Sequence, residues 1–323
     1  MDKEDLCKLR CANEEITKEG EIILRKIIII KYEECCKFLK TINPLVGYRI
    51  NWKRKGYFIM ENGGTSPKFL SGTSKGSLKK LFKDGKMYKF NCQGYEDIAE
   101  ALVSELESFI DGFSYVDYYL DVYNGSPCCY SYNFRRDNLI ETTFYRLLSS
   151  YKRYKEGYKK YKGVDYLKFI EDCIYEMTEI NVHQYLSNCI KLDSIVLNED
   201  RHLNNLTLWN SLEDGSYSTM PIFDNGLSLL SCLKIYPMML SLDVLLTMPE
   251  ARPFSKKFST QVKMFSDTPP LVIDIEGLRN SLELNKPDLK VYLGRRFKYY
   301  LRAEKVLLRQ LKLQEGITWI RSS

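Results

Sequence analysis

The sequence predicts an α+β fold in which a β-rich N-terminal part with one helix precedes a larger, mainly helical part. Strand-like, turn-punctuated text between about residues 45 and 92 is one reason. A lone acidic amphipathic pattern followed by an aromatic, β-branched run is a second, and long helical stretches parted by prolines beyond about residue 123 are a third.

Element by element, residues 1–20 are charged and fit a helix or a loose arm, and "IILRKIIII" at 22–30 leans to a strand. That run is too short to span a membrane, which takes about 20 apolar residues, and Arg25 and Lys26 interrupt it. "YFIM" reads as a strand, and "SLKKLFKDGKMYKFN" reads as a hairpin closed by its Asp-Gly turn. "YEDIAEALVSELESFI" sets Ile98, Leu102, Leu106 and Phe109 on one helical face, and "YVDYYLDVY" comes next as a strand. "TTFYRLLSSYKRY", "VDYLKFIEDCIYEM", "VHQYLSNCIKLDSIVL" and "RRFKYYLRAEKVLLRQLKLQ" are helical, with Pro253, Pro269, Pro270 and Pro287 marking loops. The expected division is an extension at 1–44, an N-lobe at 45–122 and a helical C-lobe at 123–323.

Composition narrows the function classes. A net charge of +6 over 323 residues tolerates an anionic ligand without demanding nucleic acid. The ten cysteines form no CxxC, and with two histidines they make no zinc pattern. The charged start "MDKEDLCKLR" lacks a signal peptide's apolar run, so reduced thiols and a cytoplasmic location are expected, with delivery as an effector left open.

"LNEDRHLNN" and, further on, "PIFDNG" carry the chemistry. So dense a polar stretch must lie on a loop or meet partners, because buried unpaired polar groups cost about 1–3 kcal/mol each. Asp200, Asn205 and Asp224 offer hard oxygen donors of the kind Mg²⁺ takes alongside waters and substrate phosphates. Asp200 then serves as the base near a transferring phosphate, with Asn205 and Asp224 on the metal. A solvent-exposed Asn/Asp turn is the bland alternative, weakened by the apolar run that delivers Asp224 to a glycine-containing turn. His202, without His or Cys company, fits a loop brace better than a metal ligand. "SGTSKGS" at 71–77 can bring backbone N–H groups to phosphates, although it is no Walker A motif, and "NGGTSPK" at 62–68 rivals it. Lys89, alternating with Tyr88 and Phe90, could pair with Glu100 or Glu105 of the next helix.

These segments together resemble those of HipA-like protein kinases, and most of all the shorter CtkA-type serine/threonine kinases, over roughly residues 45–310. "LDSIVLNEDRHLNN" and "PIFDNGLSLL" resemble their catalytic and metal segments, and "SKGSLKK…DGKMYKFN" their phosphate loop and lysine strand. "YEDIAEALVSEL" resembles the acidic helix, "YVDYYL…CCYSYNF" the hinge with the segment after it, and "ARPFS" at 251–255 also fits. The resemblance implies a bilobed protein-kinase-like fold using ATP and Mg²⁺, with the nucleotide between the lobes near residue 120. It implies Asp200 as catalytic base with His202 beside it, and Asn205 and Asp224 on magnesium. Lys89 would meet the phosphates with Glu100 as its partner, and Gly72, Thr73, Ser74, Lys75, Gly76 and Ser77 would cover them. It further implies a protein substrate and autophosphorylation at Ser71, Thr73, Ser74 or Ser77; an antitoxin or regulatory partner rests on family analogy alone. "EDRH" and "FDNG" stand where ordinary protein kinases have HRD and DFG.

Other classes compete with this reading. "YKRYKEGYKKYKG" at 151–163 interleaves four tyrosines with six basic residues and could grip nucleic acid or another protein. An amphipathic helix with tyrosines inward and lysines snorkelling is the stronger account, so nucleic acid is not the expected partner and no membrane is. A small-molecule or lipid-headgroup acceptor would use the same phosphate machinery. A pseudokinase has no chemical need for Lys89, Asp200, Asn205 and Asp224 together.

Overall fold

The computed structural model describes residues 80–313 together with the strands at 28–31, 48–53, 57–62 and 318–320. The chain divides into two compact units, Met1–Lys68 and Phe69–Ser323. In the first, β1 (Ile28–Lys31), β2 (Tyr48–Lys53) and β3 (Tyr57–Asn62) form an antiparallel sheet in the order β1-β3-β2. The end of the isoleucine run is a strand, paired Ile28 to Met60 and Lys31 to Tyr57. The division expected at residue 44 is thereby corrected: β1 lies before it, β3 after it, and their backbone hydrogen bonds make one sheet.

The second unit begins its described part with a four-stranded antiparallel sheet. Its members are β4 (Lys80–Lys83), β5 (Lys86–Phe90), β6 (Tyr119–Tyr123) and β7 (Ser126–Tyr132), in the order β4-β5-β7-β6. Asp84 and Gly85 close the first hairpin with φ of +50° and +73°, the double left-handed geometry of a type I′ turn. Asn124 and Gly125 close the second with +49° and +75°. The lobe boundary expected at 122 thus falls inside β6, and the sheet runs on to Tyr132. On β7, neighbouring thiols face opposite ways. Cys128 packs with Leu81 and Tyr88, whereas Cys129 joins Val116, Tyr118, Trp209, Met220 and Phe223.

Helix α1 (Glu96–Glu107) sends Ile98, Leu102, Val103 and Leu106 into the large core as the apolar spacing requires. Beyond the sheet, β8 (Leu139–Thr143), β9 (Thr207–Ser211) and β10 (Tyr217–Thr219) form an antiparallel sheet in the order β10-β9-β8. Helices α2 (Phe144–Ser150), α3 (Lys152–Gly157), α4 (Gly163–Thr178) and α5 (His183–Val196) come after β8. Thr143 caps α2 by accepting from the Arg146 N–H at 3.1 Å. The short α6 (Leu242–Leu245) and α7 (Phe258–Lys263) precede β11 (Leu271–Ile273), which pairs in parallel with β12 (Thr318–Ile320). The long α8 (Ile275–Leu293) and α9 (Phe297–Leu313) complete the helical part. Pro287, expected in a loop, lies inside α8, whose N-terminal half is anchored in the core by Leu278 and Leu282.

Among the described residues, no helix is long and apolar enough to cross a membrane. The 151–163 segment spends its rings on packing. Tyr154 and Tyr161 stack on Phe169 of α4, and Tyr154 and Tyr166 share a hydrogen bond of 3.2 Å between their hydroxyls. Gly157 is required there, because a Cβ would stand 2.7 Å from the Phe169 ring.

Candidate active site

Strand alternation turns Lys89 off the face that holds Tyr88 and towards α1. It is 2% exposed, and its Nζ donates to Glu100 Oε1 at 2.5 Å and to Asp224 Oδ1 at 2.9 Å. The ammonium also lies 4.4 Å from the centre of the Tyr118 ring, and Lys80 reaches Asp224 Oδ2 at 4.0 Å. The alternative partner, Glu105, is turned elsewhere and accepts from Ser281 Oγ.

Asp224 reaches this point through an uncommon backbone conformation, φ +64°, which an aspartate tolerates better than most residues. Its successors pack on α1. The Asn225 N–H donates to Glu100 Oε2 at 3.1 Å, and a Cβ on Gly226 would sit 3.3 Å from both Glu100 Oε1 and Glu96 Cβ. The glycine of "DNG" is thus a close-approach residue.

The other half of the site hangs from the end of α5. Leu197 adopts the left-handed conformation, φ +55°, and ends the helix, as a residue just past a helix commonly does. Asn198 then accepts from the Asp200 N–H at 3.0 Å. Asn205 donates Nδ2 to the Asp200 carbonyl at 2.8 Å, a bond that does not use its Oδ1. His202 braces the loop through its backbone, donating to the Asp200 carbonyl at 2.8 Å and accepting from the Asn205 N–H at 2.8 Å. Its Nε2 lies 3.8 Å from Asp200 Oδ1, an electrostatic neighbour beyond hydrogen-bond reach, and its buried Nδ1 meets no partner among the described residues.

Sequence reasoning missed the residue that joins these halves. Arg201, fully buried, forks onto Asp193 of α5, with Nε to Oδ2 at 3.0 Å and Nη2 to Oδ1 at 3.0 Å. It also donates to the Phe223 carbonyl at 2.9 Å and to Asn225 Oδ1 at 2.7 Å. Arg201 stands beside Asp200 and eight positions after the helix-borne Asp193, a spacing that does not by itself select that acid as its partner.

The charges are shaped accordingly. Burial favours a neutral Lys89, but Asp224 and Glu100 overcome it and hold the ammonium well above its ordinary value. Burial also opposes a charged Asp224, yet Lys89 and Lys80 keep that carboxyl well below the usual range. Asp200 moves the other way. Burial raises it, His202 opposes, and the nearby Asp224 charge adds to the rise.

An ionised Asp224 and the Asn205 Oδ1 suit Mg²⁺, which needs only one or two protein carboxylates when substrate phosphates complete its shell. Among the described residues no group of three or more His, Cys, Asp or Glu gathers. Gly72, Thr73, Ser74, Lys75, Gly76 and Ser77, with Ser71, lie outside the described residues. Leu120 lines a cavity of about 430 Å³ with Ile98 and Leu102 of α1 and with Leu282, Leu289 and Tyr292 of α8. The apolar wall next to Asp224 is made by Cys129, Trp209, Met220 and Phe223, with Phe134 and Leu139 against it.

No family model matches the sequence, and no curated protein matches it in sequence. Among solved structures, the Helicobacter pylori proinflammatory kinase CtkA is similar at a TM-score of 0.52 and 16% identity, over 83% of this chain and 93% of that one. The fold is CtkA-like. HipA of Shewanella oneidensis MR-1, solved with HipB and operator DNA, matches at a TM-score of 0.38 and 10% identity, over 92% of this chain and 74% of that one. In the CtkA-like fold seen here, Lys89 and Glu100 come from β5 and α1, while Asp200, Asn205 and Asp224 come from loops after α5 and after β10.

Proposed function

We propose that the chain is an ATP- and Mg²⁺-dependent serine/threonine protein kinase. The observation that carries this is the Lys89 ammonium shared between Glu100 and Asp224, residues brought from opposite parts of the sequence into one buried cluster. A buried lysine held charged has little structural purpose, because replacing a buried ion pair with apolar residues is often neutral or stabilising. It has a chemical purpose if phosphate oxygens are to meet it.

Glu100 keeps Lys89 aimed while the ammonium is offered to those oxygens. Asp224 and the Asn205 Oδ1 would hold magnesium, which when bound would supply neutralisation of the charge that builds on the phosphoryl group. Asp200 accepts the proton of the attacking serine or threonine hydroxyl, and the rise in its basicity through burial suits that work. The nucleotide base is assigned to the apolar wall of Trp209, Met220 and Phe223 beside the 133–138 junction.

The test is transfer of the γ-phosphate from ATP with Mg²⁺, to the chain itself and to a generic protein acceptor, read by intact mass. Wild type gains phosphate, and Asp200→Ala and Asp224→Ala do not; peptide mapping then asks whether Ser71, Thr73, Ser74 or Ser77 is modified. Equal labelling of wild type and both variants, or no binding of ATP, would sink the assignment.

A further inference from the structure

Asn225 holds four bonds to separate pieces of the site. Its N–H donates to Glu100 Oε2 at 3.1 Å, and its Nδ2 donates to Glu107 Oε1 at 3.2 Å. Its Oδ1 accepts from Arg201 Nη2 at 2.7 Å and from Asn198 Nδ2 at 3.4 Å. Glu100 and Glu107 are seven residues apart, two turns of α1, and so share a face. One asparagine therefore grips α1 at two heights while its other side holds the loop of the base aspartate.

Glu107 is otherwise hard to explain. It is fully buried, its Oε2 meets no hydrogen-bond partner among the described residues, and burial pushes its carboxyl well above the ordinary range. A carboxyl in an apolar helix face is costly, and an orphaned buried oxygen asks for a reason. Receiving the Asn225 amide at Oε1 gives the buried carboxyl a partner on its other oxygen.

We propose that Asn225 is a positioning residue, and Glu107 its receptor on α1, which together keep Glu100 and Asp224 in register. The Lys89–Asp224 bond cannot serve this purpose during the reaction proposed above, on which this role rests, because phosphates and magnesium claim both groups. No polar atom of the Asn225 side chain or of Glu107 is needed by those ligands, so their link persists throughout.

The test compares Asn225→Leu, Glu107→Leu and Glu107→Gln by hydrogen exchange of the ligand-free protein and by the Mg²⁺ dependence of phosphate transfer. Both leucine variants are expected to speed exchange of the α1 amides about tenfold or more while α4 keeps its protection. They should also raise the half-saturating Mg²⁺ concentration about tenfold, and Glu107→Gln, which keeps an acceptor, should lose far less than Glu107→Leu. Wild-type exchange of α1 in folded Asn225→Leu would overturn the proposal, as would equal damage from Gln and Leu at 107. If Asn225→Leu unfolds, seen as α4 exchanging along with α1, the smaller Asn225→Ser is judged by the same criteria. A wild-type chain that transfers no phosphate would remove the reaction, while the exchange measurements still decide whether Asn225 couples α1 to the loop.

Discussion

Arg201→Met removes a guanidinium and keeps most of its length. In the native chain that group neutralises Asp193 with a two-nitrogen fork and satisfies the Phe223 carbonyl and the Asn225 amide oxygen, all away from water. Taking one partner from a buried ion pair costs about 3–5 kcal/mol, because the other charge stays behind. Asn198 Nδ2, 3.1 Å from Asp193 Oδ1, remains and offsets a little of this. Against a usual total of about 5–15 kcal/mol, the loss is a large share. For a unit of this size it lowers the melting temperature by about 6–10 °C. Thermal and denaturant unfolding followed by circular dichroism measure it. Arg201→Met/Asp193→Leu removes the stranded charge too and should recover at least about half of the loss. A single variant within about 1 kcal/mol of wild type, or a double variant no better than the single, would refute the reasoning.

Glu100→Gln keeps an acceptor for the Asn225 N–H but takes a charge from Lys89; phosphate transfer should fall about 10²-fold, and a rate within about threefold of wild type in a γ-phosphate assay would count against an aiming role. Gly94→Ala puts a Cβ 2.0 Å from the Ser231 carbonyl oxygen, which is backbone and cannot swing away; calorimetry should show a loss of about 1–3 kcal/mol or more. His183 ties α5 to α4 and to the 267 turn through Glu171 at 2.7 Å and Asp267 at 3.1 Å. Burial lowers its pKa, but the two carboxylates outweigh burial and raise it above the ordinary 6.5. Its contribution is therefore full below about pH 6.5 and is lost as pH climbs through the raised value. Wild type should lose its advantage over His183→Asn in unfolding measurements between about pH 6 and the raised pKa, and a constant difference would contradict this.

What could be read from the sequence was local. The Asp84-Gly85 hairpin, the apolar stripe of α1 and the strand at the end of the isoleucine run are set by turn chemistry and periodicity, which need only neighbours in sequence. Asn124-Gly125 is an equally strong hairpin signal, and passing over it put the lobe boundary inside β6. Pro287 misled because α8 continues through it, between Leu282 and Leu293, which both sit in the core. At the site, residue types suggested donors and a base. The Arg201–Asp193 fork and the Asn225–Glu107 bond join distant positions, 8 and 118 residues apart, and spacing alone could not pair them.

Cys128 and Cys129 are consecutive, buried and on opposite faces of β7. A thiol reagent reaches either only after something opens, and what must open differs between them. Cys128 is uncovered when the outer aromatic layer of the sheet loosens, and Cys129 when the wall containing Trp209 and Phe223 parts. The strand thus carries two clocks set side by side, one timing the sheet's outer layer and the other the cleft. Their labelling rates, separated by a single peptide bond, would tell which of the two surfaces opens more readily.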